Sequence, residues 1–178
     1  MRWTVHGERT LYASEWVGLG LVDVEVPGGA RFEHHVVRLP REAVGTVVHD
    51  PQRGVLLLWR HRFITDSWGW EVPAGGVDDG EPLPDAAARE VLEETGWRPG
   101  PLRRLTRYHP SNGLSDQTFT VFVAAGASYV GEPEDPSESE RVAWVPVDQL
   151  RGLLAEQVSD GLSMTALAYW LAFPADAG

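Results

Sequence analysis

Three glutamates carry the strongest chemical signal in the chain: Glu90, Glu93 and Glu94, within the run GGVDDGEPLPDAAAREVLEETGW from Gly75 to Trp97. If that run is helical, about 100° of rotation per residue puts the three carboxylates within an arc of about 100°, over a single turn. Like charges held that close repel one another and oppose folding. A divalent cation relieves the repulsion. Magnesium, a hard cation that takes oxygen ligands, is the natural one, with manganese as a substitute. The chemistry on offer is therefore the rigid holding of a metal ion. The ordinary reading of the same residues is a solvated acidic helix face.

A helix must present these side chains, and the sequence supplies its punctuation. Pro84 suits the first helical position and Asp85 the positive N-terminal end. Gly96 is placed to end the helix in the left-handed conformation after Thr95. The face opposite the glutamates carries Ala87, Ala88, Val91 and Leu92, which can pack against a sheet. Strands are expected over 16–26, 31–39, 44–49 and 54–62, with a turn at Pro27-Gly28-Gly29 and a hairpin loop over 50–54. The run Val55-Leu56-Leu57-Leu58-Trp59 is continuously apolar, as in a strand covered on both faces. Residues 63–83, rich in Gly, Pro and Asp, read as mostly loop. Further strands are expected over 102–109, 117–125 and 142–145, the last after an acidic loop at 131–140. Two helices follow. Asp148 opens the first; the second carries Leu162, Ala166, Tyr169, Trp170 and Phe173 and stops at Pro174. Strands mixed with three helices argue for one α/β or α+β domain.

Composition removes several classes of function. The chain has 178 residues with a formal charge of −11, and all 15 basic residues are arginine. Such a balance disfavours nonspecific binding to nucleic acid or to anionic membranes, and neither is expected as a partner. There is no cysteine, which excludes disulfides, thiolate catalysis and zinc–sulfur or iron–sulfur sites. No apolar run approaches the roughly 18 residues that span a membrane, and the start lacks a secretory segment. A soluble cytoplasmic protein is the expectation. The charge is local: residues 78–94 hold seven acidic groups and one arginine, residues 132–140 hold five acidic groups, and the rest is formally neutral.

The acidic stretch resembles the Nudix box, G-x5-E-x7-R-E-U-x-E-E-x-G-U, with U bulky and apolar. Gly75, Glu81, Arg89, Glu90, Glu93, Glu94 and Gly96 fill the seven fixed letters and Val91 the first apolar one. Trp97 stands where an aliphatic residue is usual. The resemblance implies a Nudix fold, a mixed β-sheet core sandwiched between helices. It also implies that the loop–helix–loop places a divalent metal on a diphosphate. Glu90 and Glu94 would be metal ligands, Glu93 a further one, and the backbone carbonyl of Ala74 would join them. Arg89 would orient the carboxylates through an ion pair with Glu81. Gly75 and Gly76 would let the backbone approach metal and phosphates closely.

Other segments point to one branch. Trp70-Glu71-Val72-Pro73-Ala74-Gly75, Trp59-Arg60-His61-Arg62-Phe63 and His109-Pro110-Ser111-Asn112-Gly113-Leu114-Ser115-Asp116-Gln117 are similar to motifs of ADP-ribose pyrophosphatases and related nucleotide-sugar hydrolases. Gln117 replaces a usual Glu, and Asn112 a usual Pro. In that branch a loop glutamate acts as general base. Carried over by position, Glu138 would be the base and Glu140 a secondary base or ligand; a solvated charge run is the ordinary alternative. Arg60 and Arg62 could clamp phosphates bidentately, Arg62 in preference, against a plain role in strand-edge solubility. Glu71 could bind ribose or a metal-bound water, or pair with a nearby arginine. Trp16, Trp68 and Trp70 could stack on a base, against ordinary core packing. His34, His35 and His61 lack metal-ligand spacing and read as structural.

Residues 1–40 exceed a minimal Nudix core (41–178) and form an antiparallel β extension. In this branch such a sheet exchanges strands between two subunits, which implies a homodimer; strands that merely cover one edge of their own sheet are the ordinary alternative. The expected substrate is a small nucleotide sugar, ADP-ribose, cut by magnesium-assisted hydrolysis to AMP and ribose 5-phosphate. Another nucleotide sugar such as GDP-mannose, or a regulator that binds ADP-ribose without cleaving it, are the alternatives. The intact glutamate set argues against the regulator.

Overall fold

The computed structural model describes residues 1–134 and 139–173. These residues form two compact units: Met1–Glu42 with His109–Thr118, and Ala43–Tyr108 with the chain from Phe119 onward.

The first unit is an antiparallel three-stranded sheet of β1 (Thr4–Ala13), β2 (Gly18–Glu25) and β3 (Arg31–Arg38), in that order. β2, the central strand, buries Leu21, Val22 and Val24, whereas all ten residues of β1 are exposed. β1 went unread in the sequence because its apolar residues are interspersed with His6, Glu8 and Arg9 and show no clean alternation. The 109–118 segment lies along β3. Val37 N–H donates to Leu114 O, Asp116 N–H donates to Val37 O, and Arg38 pairs with both Glu8 and Asp116.

In the second unit, β4 (Ala43–Asp50), β5 (Gly54–Arg62), β9 (Leu102–Tyr108), β10 (Phe119–Ala125) and β12 (Arg141–Val145) make a mixed sheet of order β12-β5-β4-β10-β9. β6 (Ser67–Glu71) pairs with β5, and β7 (Ala74–Gly76) with β4. β4 and β10 run parallel. β8 (Trp97–Pro99) and β11 (Ala127–Tyr129) form a separate small ladder. The region read as loop thus contains two short strands, too brief and glycine-rich for periodicity to mark them.

Alternation along β4 and β5 sorts the core into two layers. Val44, Val48 and Leu56 face α1 (Leu83–Thr95) through Ala86, Ala87 and Val91. Val47, Val55 and Leu57 face α2 (Leu150–Glu156) and α3 (Gly161–Ala172) through Leu150, Leu162, Ala166 and Leu167. Helices therefore cover both faces, and Val55 to Leu58 are fully buried, as the apolar run required. The buried face of α1 differs from the expected one: Ala86 replaces Ala88, Leu92 is half-buried, and Glu94 and Thr95 are buried as well. α2 is entered through a 3₁₀ turn at Val147–Gln149, with Asp148 inside that turn and making no side-chain cap. α3 is capped by Asp160, whose side chain accepts from Ser163 N–H. Pro174 lies outside the described residues. Among those residues, no helix is long and apolar enough to cross a membrane.

Candidate active site

α1 begins after Pro82 and ends at Gly96, which has φ 72° and donates its N–H to Leu92 O. A side chain at Gly96 would collide with Gly131 O, so both the turn and its neighbour demand glycine. Gly96 O in turn accepts from Val130 N–H, and Glu93 O from Glu134 N–H, which ties the start of the acidic loop to the helix end.

One face of the β5–β6 hairpin meets this helix. The pairs Leu58/Glu71, Arg60/Gly69 and Arg62/Ser67 share a side, which groups Arg60, Arg62 and Glu71. Trp59, His61, Trp68 and Trp70 fall on the other side. There Trp70 is core, and Trp68 stacks on Trp59 at 6.1 Å. A cavity of about 450 Å³ is lined by Arg60, His61, Arg62, Ala74, Gly75, Gly76, Glu90 and Glu94. Hence Arg60, Arg62, Ala74, Glu90 and Glu94, singled out from three separate stretches of sequence, line one space. His61, read as structural, lines it too, while its Nε2 contacts Asp66 Oδ1 at 3.0 Å.

Glu94 is the most constrained of the carboxylates. It is 4% exposed; Oε1 accepts from Arg60 Nη2 at 2.5 Å and Oε2 from Ala74 N–H at 2.8 Å. Burial pushes its carboxyl up to about 7, against the opposing pull of Arg60 and the Ala74 N–H. Arg60 is itself 6% exposed, so it acts on Glu94 first.

Arg89 organises the remaining carboxylates. Its Nε and Nη2 donate to the two oxygens of Glu81 at 2.9 Å each, and Nη1 donates to Glu90 at 2.8 Å and Glu93 at 3.0 Å. Nη2 also donates to Gly76 O. The Arg89 guanidinium, with help from the Asp78 N–H, holds the Glu81 carboxyl down at about 2. These hydrogen bonds push the Arg89 pKa upward in return. Arg62 makes a bidentate pair with Glu71, which is 3% exposed.

Neither Glu140 nor Trp16 is among the residues that line this cavity. Glu140 is exposed, donates its N–H to Trp59 O, and lines a second cavity with Trp97, Tyr129 and Trp144. Trp16 belongs to the first unit, 66% exposed, with the Arg41 guanidinium 5.6 Å above its ring. Glu138 lies outside the described residues.

The donors around the first cavity suit a divalent cation. Glu90 and Glu94 supply carboxylates beside the Ala74–Gly76 backbone, and all are hard oxygen donors. Gly75 permits the approach: a Cβ there would sit 2.2 Å from the Glu90 carboxylate. With Arg89 and Arg60 engaging them, no three acidic or histidine side chains converge on one point among the described residues.

A mixed sheet between helices, with a glutamate-bearing helix after a glycine strand, defines a Nudix hydrolase. The NUDIX domain model matches residues 39–167, and the chain belongs to that family. It is 42% identical over 170 residues to the CMP-5′-(N-acetyl-N-hydroxy-3-aminopropyl)phosphonate hydrolase of Streptomyces rubellomurinus, covering 94% of this chain and 82% of that one. It is 30% identical over 158 residues to the ADP-ribose pyrophosphatase of Mycobacterium tuberculosis, covering 84% and 76%. The Bacillus subtilis ADP-ribose pyrophosphatase is 27% identical over 162 residues, covering 89% and 87%. A solved ADP compounds hydrolase superposes with a TM-score of 0.84 over 98% of this chain and 97% of that one; at 22% identity this shows the shared fold.

Proposed function

We propose that the chain hydrolyses, with magnesium or manganese, the phosphoanhydride that joins a nucleoside 5′-phosphate to a second phosphorus-bearing group. The observation that carries this is the convergence of Glu90, Glu94 and Ala74 with Arg60 and Arg62 around one cavity. Glu90, Glu94 and the Ala74 carbonyl would hold the cation, with Glu93 available beside them. When bound, the cation offsets charge on the diphosphate oxygens and acidifies the attacking water. Arg62 is the phosphate clamp, since it is half-exposed and its guanidinium matches phosphate oxygens. Glu71 orients that guanidinium. Arg60 holds Glu94, and Arg89 holds Glu81, Glu90 and Glu93 in one array. Glu138 is the general base of this reading, and Glu140 its secondary candidate. Trp16 remains a stacking surface for the base.

Two substrates compete. The relative matched at 42% favours a cytidine 5′-phosphoryl phosphonate, and Gln117 and Asn112, which depart from the ADP-ribose pattern, weigh against ADP-ribose itself. The ADP-ribose reading, giving AMP and ribose 5-phosphate, rests on the relatives at 27% and 30%. Phosphate release coupled to a phosphatase, across CMP-phosphonate, ADP-ribose and GDP-mannose with magnesium, ranks them. No turnover of any with either cation would leave a binding protein instead.

A homodimer formed through residues 1–40 belongs to the same proposal. Its support is β1, an edge strand that exposes Val5, Leu11 and Tyr12 and invites a second chain. Light scattering that gives a stable monomer at micromolar concentration overturns it.

A further inference from the structure

Between Glu71 and Ala74 the chain leaves one strand partner for another. β6 pairs with β5 up to Glu71, and β7 pairs with β4 from Ala74, so Val72 and Pro73 lie outside both ladders. A buried N–H at such a crossing needs an acceptor from somewhere else. Helix α3 provides it: Val72 N–H donates to Ser163 Oγ at 3.1 Å, and both residues are 1% exposed. Ser163 is fixed in turn, because its own N–H donates to Asp160 Oδ2 at 2.7 Å. Beyond it, Pro73 O accepts from Thr46 N–H at 3.0 Å, and Ala74 N–H donates to Glu94. Glu71, at the start of the crossing, holds Arg62.

Among the described residues Ser163 is the buried polar residue of α3, surrounded by Leu162, Ala166 and Leu167. Core packing alone asks for no hydroxyl there. The hydroxyl meets the strand crossing whose far end enters the cavity with the carboxylates.

We infer that Ser163 is a positioning residue for the cation and diphosphate site. It acts from the opposite face of the sheet, through Val72, on Glu71 and Ala74. This rests on the proposed metal reading. Ser163 touches neither cation nor substrate; it sets where the Ala74 carbonyl and the Glu71–Arg62 pair stand. Outer partners of this kind tune metal affinity and activity by roughly 10–100-fold when removed.

The test is titration calorimetry of the full chain with manganese and magnesium, alongside turnover. Ser163→Ala is expected to bind metal about tenfold more weakly, the lower end of that range, and to lose kcat with KM little changed. Ser163→Thr, which keeps the hydroxyl, is expected to recover metal affinity. Ala166→Gly on the same helix is the control: it lowers the denaturation midpoint and leaves metal affinity alone. A folded Ser163→Ala protein that binds metal as the wild type does overturns the inference, whatever its stability. If the alanine variant does not fold, Ser163→Cys takes its place, with a weaker acceptor of similar size, and equal affinity overturns the inference there as well. Wild-type protein that binds neither cation sinks the metal reading and this inference with it. Wild-type binding left intact by the Ser163 variants sinks this inference alone.

Discussion

The β1–β3 sheet and the β5–β6 hairpin both present arginines to carboxylates, forked at Arg9 and through Nη2 at Arg60. Arg9 reaches Glu33 through Nε and Nη2 at 2.8 and 3.0 Å, with side chains 58% and 48% exposed. Arg60 reaches Glu94 with side chains 7% and 4% exposed. Around Arg9 and Glu33, water screens the charges and would solvate either one alone. Around Arg60 and Glu94 it is largely absent, so each ion depends on the other. The same pairing chemistry is surface decoration in one unit and a structural condition of the site in the other. What differs is solvent, not residue type.

Four changes sharpen or break that contrast. Arg60→Ala should have the largest effect, because it strands a buried carboxylate: about 3–5 kcal/mol of stability, read from urea midpoints. A loss no greater than that of a surface arginine would remove the distinction. Glu94→Gln is expected to cut kcat by at least ~10²-fold, the scale for losing a group that acts directly on the reacting centre. Unchanged turnover there would refute the metal assignment. Arg62→Ala is intermediate, since Arg62 is half in water while Glu71 is buried; stability should fall by about 1–3 kcal/mol, and KM should rise as the phosphate clamp is lost. Arg9→Ala should leave the denaturation midpoint unmoved, and added salt should not widen its difference from the wild type. A clear loss in that variant would show that the exposed sheet leans on its ion pairs after all.

The parts of the site that follow from local spacing were legible. Glu90 and Glu94 fall on one helical face because they are four residues apart, and Gly96 ends the helix because only a left-handed residue fits there. Arg60 and Arg62 share a strand face because they are two apart. β6 and β7 were not legible, since strands of five and three residues leave too little periodicity to read. Arg60 reads as an open candidate for the phosphates beside the preferred Arg62, and its burial against Glu94, which depends on the distant helix, was not legible. Trp68 and Trp70 read as candidates for stacking on a base against ordinary core packing; strand alternation turns both away from the carboxylates, and Trp70 is core.

By itself the sequence determined the helix, its end, its row of carboxylates and the apolar strand beneath them, because each depends on neighbours within a turn or a pleat. Tertiary structure decided which distant residues would complete the site. Arg60 and Glu94 are 34 positions apart, and Val72 and Ser163 are 91 apart. Strand order and helix packing bring such pairs together, and the exclusion of water that comes with that packing makes their hydrogen bonds matter.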